Sequence, residues 1–249
     1  DEVEIINLLN GDQLLNDNPV HLSPGVQDVY NIGKTSVNLR WLRYIYILNN
    51  ILQKNLLTDN GVWADVGSYY GGAQGLVRKY KPNCKLILID FNHQLCRSYL
   101  YLSQLYPDAN HILPNEAKQL ENTESIKSGS ILYVPVSNYK FISNFEVDLF
   151  TNFFSFGEMK RSFFEKYFKS DLFVNAKTNY IINRFVSSPF FDKTYDSDLT
   201  LLDYIKSNRK IEYFDIFPMT HYLITKRVLY ERSSFRNTSS PYFELILKR

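Results

Sequence analysis

Cysteine, methionine and tryptophan are each present only twice, and histidine four times. Two cysteines, Cys84 and Cys96, supply no disulfide framework, and free thiols fit a reducing, cytoplasmic setting. No apolar run is long enough to cross a membrane, and no secretory leader pattern is visible. Repeats and low-complexity tracts are missing. Charge of one sign is also lacking: a net +2 gives no basic footprint for nucleic acid. The local group Lys206, Arg209 and Lys210 is read as a solvated face. What is abundant is aromatic, with 19 Tyr and 18 Phe, most of them expected in the core of a large α/β chain.

Residues 1–58 are expected to form an N-terminal helical cap on a Rossmann-like α/β domain over 59–249. Within the cap, Leu39, Leu42, Ile45, Leu48, Ile51 and Leu52 recur at helical spacing and predict a helix over 35–57. It is expected to pack over the cleft or to form a homodimer face. Trp41, Tyr44 and Tyr46 would fill its interface or reach a ligand. From residue 62 the pattern alternates. Strands are predicted at 62–66, 85–89, 111–113, 131–136, 147–151 and 180–185, with further strand signal at Phe173. Helices are predicted at 72–80, 92–106 and 155–168. Strands at 213–217, 222–225 and 242–247 close the chain. The last two have no clear helix between them, which predicts an antiparallel hairpin at the edge of a mostly parallel, seven-stranded sheet.

The sharpest local signal is Val62-Trp63-Ala64-Asp65-Val66-Gly67-Ser68-Tyr69-Tyr70-Gly71-Gly72, an apolar strand entering a glycine turn before a helix. Such turns let a ligand approach the backbone at the carboxyl ends of the strands. Asp90 ends the next strand, where a carboxylate can accept ribose hydroxyls; alone it would as readily be a turn or cap acid. Asp65 lies inside an apolar strand, and a buried charge needs a partner: a ligand ammonium, or the turn's own N–H groups. The spacing Gly67-x-x-x-Gly71-Gly72 departs from the dinucleotide G-x-G-x-x-G, because Tyr69 stands at the second glycine. That glycine serves a pyrophosphate, so its loss favours S-adenosylmethionine (SAM) over NAD(P). A Tyr-x-x-x-Lys pair typical of short-chain dehydrogenases is found at Tyr30/Lys34, before the turn, and at Tyr222/Lys226, in a β-patterned run; neither suits a helix following the turn.

Further on comes Asn152-Phe153-Phe154-Ser155-Phe156-Gly157-Glu158-Met159. With Gly71-Gly72, Asp90, Ser98-Tyr99-Leu100-Tyr101-Leu102, Val134-Pro135 and Ile182-Asn183-Arg184, this block resembles the bacterial sugar O-methyltransferase family of class I enzymes. The resemblance covers roughly residues 35–225, and the 152–159 block is its specific part. Tyr69 and the polar stretch 115–129 depart from it. The resemblance implies methyl transfer from SAM to a sugar hydroxyl in surface polysaccharide assembly, on a free, nucleotide-linked or lipid-linked carbohydrate.

On this reading the cofactor is lined by Asp65, Gly67, Ser68, Gly71, Gly72, Asp90, Phe91, Val136, Ser137 and Asn152, and the acceptor by Tyr70, Asn183 and Arg184. Arg184 would suit a phosphate or carboxylate, or serve a structural ion pair. Glu158 is the first candidate base, though Ser155-x-x-Glu158 also spells a capping box. His221 is the second, or else a hydrogen-bonded structural histidine. His93 is placed on the adenosine side or in solvent. His21 and His111 carry no signal. No tight His/Asp cluster predicts a metal. Two other readings stay open, an NAD(P)-dependent sugar oxidoreductase or epimerase and a non-catalytic scaffold on a SAM-binding fold.

Overall fold

A strand sends alternate side chains to opposite faces, and Val62–Val66 does so with consequence. Val62, Ala64 and Val66 enter one core, while Trp63 enters the other and carries Asp65 to its own side. The computed structural model describes residues 13–18, 30–32, 35–187, 199–206, 208–218 and 241–249. In chain order it begins with α1 (Gln13–Asp17), the antiparallel pair β1 (Tyr30–Ile32) and β2 (Thr35–Val37), and α2 (Leu39–Gln53). Next come β3 (Val62–Val66), α3 (Gly72–Tyr80), β4 (Lys85–Asp90), α4 (Asn92–Leu105), β5 (His111–Ile112), α5 (Pro114–Ala117) and β6 (Ile131–Pro135). A 3-10 helix follows at Val136–Ile142, then β7 (Leu149–Phe153) and a short 3-10 turn at Phe156–Glu158. The chain continues through α6 (Arg161–Phe168), α7 (Asp171–Val174), β8 (Thr178–Arg184), β9 (Val186–Ser187), β10 (Leu199–Thr200), α8 (Leu201–Ile205), β11 (Lys210–Ile216) and β12 (Tyr242–Lys248).

Eight strands, where seven are expected, form one sheet in the order β11-β12-β8-β7-β3-β4-β6-β5. The chain leaves β3 toward β4 and returns to its other side at β7, so the direction of winding reverses there. Only β12 runs against the rest of this sheet, antiparallel to both β8 and β11. The antiparallel edge pair is therefore Lys210–Ile216 with Tyr242–Lys248; the expected strand at 222–225 lies outside the described residues.

Several boundaries differ from expectation. The first long helix starts at Leu39 rather than 35, because Asn38 caps it by accepting from the Trp41 N–H at 2.8 Å, and Thr35–Val37 is a strand. The expected helix over 155–168 is broken: a 3-10 turn ends at Glu158, and Met159 and Lys160 are extended before α6. Phe173 belongs to a four-residue helix capped by Ser170, not to a strand. Arg209 is not part of a solvated face. Its guanidinium donates to the carbonyls of Val174 (2.7 Å) and Ala176 (2.5 Å), pinning the chain between α7 and β8.

The α2 helix is part of the core, not a loose cover. Trp41, Ile45, Leu48 and Ile51 pack with Leu76, Val77, Leu86 and Tyr180 in one buried cluster. Trp41 also donates from its indole to the Asn18 carbonyl at 2.8 Å. Buried Glu244 on β12 accepts from Tyr46 (2.7 Å) and Asn50 (2.8 Å) of α2 and from Tyr180 of β8 (2.5 Å), tying the helix to the antiparallel end of the sheet. Tyr46 thus fills the interface, with its ring against Phe217.

Candidate functional site

The glycine turn leaves β3 with three residues in the left-handed region: Gly67 (φ 84°), Tyr69 (φ 54°) and Gly71 (φ 82°). Gly67 is required by close approach as well as by φ, since a Cβ there would stand 2.2 Å from the Ser155 Oγ. Tyr69 holds a conformation that costs an L-residue about 1–2 kcal/mol. Two bonds hold it: its N–H donates to Asp90 Oδ2 at 2.8 Å, and its carbonyl accepts from Ser98 Oγ at 2.6 Å. The missing glycine is therefore replaced by an anchored tyrosine that keeps the turn's shape. Ser68 is buried, and its hydroxyl has no partner among the described residues.

Asp90 ends β4, and each of its oxygens accepts one backbone N–H, from Tyr69 and from Phe91 (2.7 Å). A carboxylate has about four acceptor positions, so capacity remains for a diol. Burial raises its pKa, against the two backbone N–H groups that lower it. Beside it Phe91 is 59% exposed, with its ring stacked on His93 at 5.8 Å between centroids. A large apolar ring left in solvent next to a strand-end carboxylate offers a face on which a flat base can stack.

Asp65 is buried on the α2/α3 side. Its oxygens accept from Thr151 Oγ1 (2.5 Å) and Gln74 Nε2 (2.5 Å), and Thr151 in turn accepts from the Trp63 indole (2.7 Å). Its partners are thus side chains of β7 and α3, not the turn's N–H groups. Burial pushes its carboxyl up to about 7; the Thr151 hydrogen bond opposes this and the Asp90 charge adds to it.

Asn152 at the end of β7 is a hub. Its amide donates to the Val66 carbonyl (2.7 Å) and the Ser155 hydroxyl (2.6 Å). Its oxygen accepts from the Phe156 N–H (2.8 Å) and the Asn183 amide (2.9 Å), while Asn183 Oδ1 accepts from the Gly157 N–H at 3.1 Å. Two buried asparagines therefore cap the 156–158 turn from across the sheet. The Ser155-x-x-Glu158 box does not form: the Ser155 hydroxyl points back to the Val66 carbonyl. Asn183, expected at the acceptor, is fully buried with its amide committed to this loop. Glu158 is thereby freed from capping and is exposed, with its carboxyl raised by the surrounding protein and lowered by nearby Arg184. Arg184 donates to the Tyr242 hydroxyl at 3.1 Å.

Tyr70, expected to touch the acceptor, is fully buried, with its ring among Tyr44, Tyr69 and Tyr101. Gly72 has no room for a side chain, because a Cβ would meet Tyr44 and Tyr70 within 2.6 Å. Val136 and Ser137 follow β6 at the same end of the sheet, half-buried and exposed. A shallow depression of about 170 Å³ lies beyond them, lined by Pro114, Val134, Pro135 and Ile142, and does not reach the glycine turn. His221 lies outside the described residues. Among the described residues no three metal-ligating side chains converge and no helix is long and apolar enough to cross a membrane.

Sequence reasoning missed Arg40 and Arg43. Spaced i, i+3 on α2, they share a face toward the site: Arg40 lies over the Tyr69 ring (4.8 Å) and Arg43 over the Phe154 ring (5.0 Å). The helical spacing carries that signal, among the aromatic residues Trp41, Tyr44 and Tyr46 of the same helix.

No family model matches the chain, and no curated protein matches it. Solved structures do. A geranyl diphosphate methyltransferase in complex with SAM matches with a TM-score of 0.53 and 11% identity, over 85% of this chain and 86% of that one. Coclaurine N-methyltransferase, bound to N-methylheliamine and SAH, matches with a TM-score of 0.53 and 8% identity, over 99% and 79%. A protein of Pyrococcus horikoshii matches with a TM-score of 0.50 and 9% identity, over 85% and 92%. The fold is the Rossmann-like fold of class I methyltransferases, with a mostly parallel sheet and an antiparallel edge.

Proposed function

We propose that this protein is a SAM-dependent methyltransferase that methylates a sugar hydroxyl, in the assembly of surface polysaccharide or another glycoconjugate. The observation that carries the cofactor reading is the pairing of Asp90 with Phe91 beside the Gly67–Gly71 turn: diol acceptor, base plate and open backbone at adjoining strand ends. The donor set fits an adenosyl compound. The unpartnered Ser68 hydroxyl adds a polar atom with capacity to spare. A dinucleotide fits less well, since the side chain of Tyr69 stands where a pyrophosphate needs bare backbone, and β12 interrupts the parallel order typical of dinucleotide folds. The sugar hydroxyl rests on the resemblance of the 152–159 block.

When bound, SAM supplies a methyl group already activated by a sulfonium. The chain contributes alignment and a proton acceptor. Asn152 and Asn183 fix the loop that presents Glu158 at the end of β7. A carboxyl pKa raised by burial makes Glu158 a better base than an ordinary surface glutamate, and the Arg184 charge opposes the rise. Its role is to accept the acceptor hydroxyl's proton.

Transfer of labelled methyl from SAM to a panel of free and nucleotide-linked sugars tests the reading. Glu158→Gln is expected to lower turnover by about 100-fold or more while keeping cofactor affinity, the usual size of a general-base contribution. Retained turnover removes Glu158 from the role. Cofactor binding with no acceptor anywhere in the panel favours the scaffold reading, and a rise in melting temperature with NAD(P) instead of SAM favours the oxidoreductase.

A further inference from the structure

Arg43 is a half-buried charged side chain with no acid paired to it among the described residues. Its Nε is enclosed without a hydrogen-bond partner, and among the described residues no ion pair or hydrogen bond reaches the guanidinium; its one close contact is the Phe154 ring. The groups that act on its charge from the elements around it are Tyr242 on β12, Tyr44 on α2 itself and Arg40, and none of these is an acid. The two buried acids on this side of the sheet are already engaged, Asp65 with Thr151 and Gln74, and Glu244 with Tyr46, Asn50 and Tyr180. Arginine does not discharge at any working pH, so burial without a counter-ion is unfavourable. The side chain as a whole keeps partial access, so an anion can reach it.

Position limits what that anion is. Asp90 sits at the end of β4, the glycine turn follows β3, and Phe154 lies just past β7; in the sheet these strands are consecutive, β4-β3-β7. Neighbouring strands are about 4.8 Å apart, so the line from Asp90 to Phe154 spans about 10 Å. A nucleoside with its ribose on Asp90 and a side arm crossing the glycine turn ends its arm beneath Arg43. Tyr44, the next residue of α2, marks the crossing: it packs on Gly72 and feels the Asp65 charge.

Building on the SAM reading above, we infer that Arg43 binds the carboxylate of the cofactor's amino-acid arm, with Phe154 as the platform that holds the guanidinium flat. α2 thereby closes the cofactor site as well as packing on the fold.

Calorimetric titration of wild type, Arg43→Gln and Arg43→Lys tests this with two probes. S-adenosylhomocysteine carries the amino-acid arm, whereas 5′-methylthioadenosine has the same thioether nucleoside without it. Arg43→Gln should weaken S-adenosylhomocysteine by about tenfold or more, the size of a charge-assisted hydrogen bond, and Arg43→Lys should weaken it less. Both should leave methylthioadenosine within about twofold. The ligand-free Arg43→Gln protein should melt no lower than wild type, because an unanswered buried charge is removed. Unchanged affinity for S-adenosylhomocysteine in Arg43→Gln overturns the inference and spares the SAM reading. Equal weakening of both probes, or a lowered melting temperature with both affinities unchanged, overturns it in favour of a packing role. Failure of wild type to bind either probe overturns both readings together.

Discussion

Asp65 and Glu244 are both carboxylates on sheet strands, both buried, and both raised in pKa by desolvation. They differ in what lies beyond their partners. Glu244 is enclosed by two phenols and an amide that join α2 to β8 and β12, at the antiparallel end of the sheet. Asp65 sits two residues before a glycine turn, its oxygens held by Thr151 and Gln74, with the Asp90 carboxylate near enough to raise it further. One acid closes a seam; the other stands behind an open strand end at the reversal of winding. Burial and pKa alone do not separate structural from functional acids. Location relative to the carboxyl ends of β3 and β4 is what differs between these two.

The largest expected effect is on the structural side. Glu244→Ala leaves the Tyr46 and Tyr180 hydroxyls without their acceptor and the Asn50 amide with only the Tyr180 oxygen, and each orphaned buried group costs about 1–3 kcal/mol. Urea denaturation should show a loss of about 3 kcal/mol or more, with S-adenosylhomocysteine affinity kept in the folded fraction. Asp90→Ala should reverse the balance. The Tyr69 and Phe91 N–H groups lie at a strand end that water can reach, so stability should fall by about 1 kcal/mol, while nucleoside affinity should fall by about 100-fold. If both variants lose stability and affinity in the same proportion, the contrast between the acid of the antiparallel seam and the acids at the ends of β3 and β4 collapses.

The last effect is a slope, read per pH unit. Asp65 titrates near 7 in the folded protein and near 4 when unfolded. Between those values the folded state holds the extra proton, so its contribution to stability is complete below pH 4 and is lost as pH rises through 7. Asp65→Asn should remove up to about 1.4 kcal/mol per pH unit of that decline. An identical pH profile in Asp65→Asn and wild type would show that Asp65 has the same pKa folded and unfolded, and would contradict the shift.

Where local sequence decides structure, reading it sufficed. Val62–Val66 and Gly72–Tyr80 lie where their apolar pattern and flanking glycines put them, and Asp90 ends its strand beside the turn. The sequence failed to reveal structure set by partners far along the chain. The break within 155–168 exists because Asn152 and Asn183 take the N–H groups of Phe156 and Gly157, and Asn183 lies on a strand begun twenty residues later. Arg209 looked solvated because its acceptor carbonyls, at 174 and 176, are distant in sequence. Tyr69 read as a departure from the glycine pattern, yet its backbone keeps the left-handed conformation by binding Asp90 and Ser98.

The central claim is that the ends of β3 and β4 hold an adenosyl nucleoside. Calorimetric titration of wild type and Asp90→Ala with S-adenosylhomocysteine, alongside NAD(P), tests it most directly. Saturable heat with wild type, lost in Asp90→Ala and absent with NAD(P), is the predicted result. No heat with S-adenosylhomocysteine, or binding that Asp90→Ala leaves intact, would contradict it.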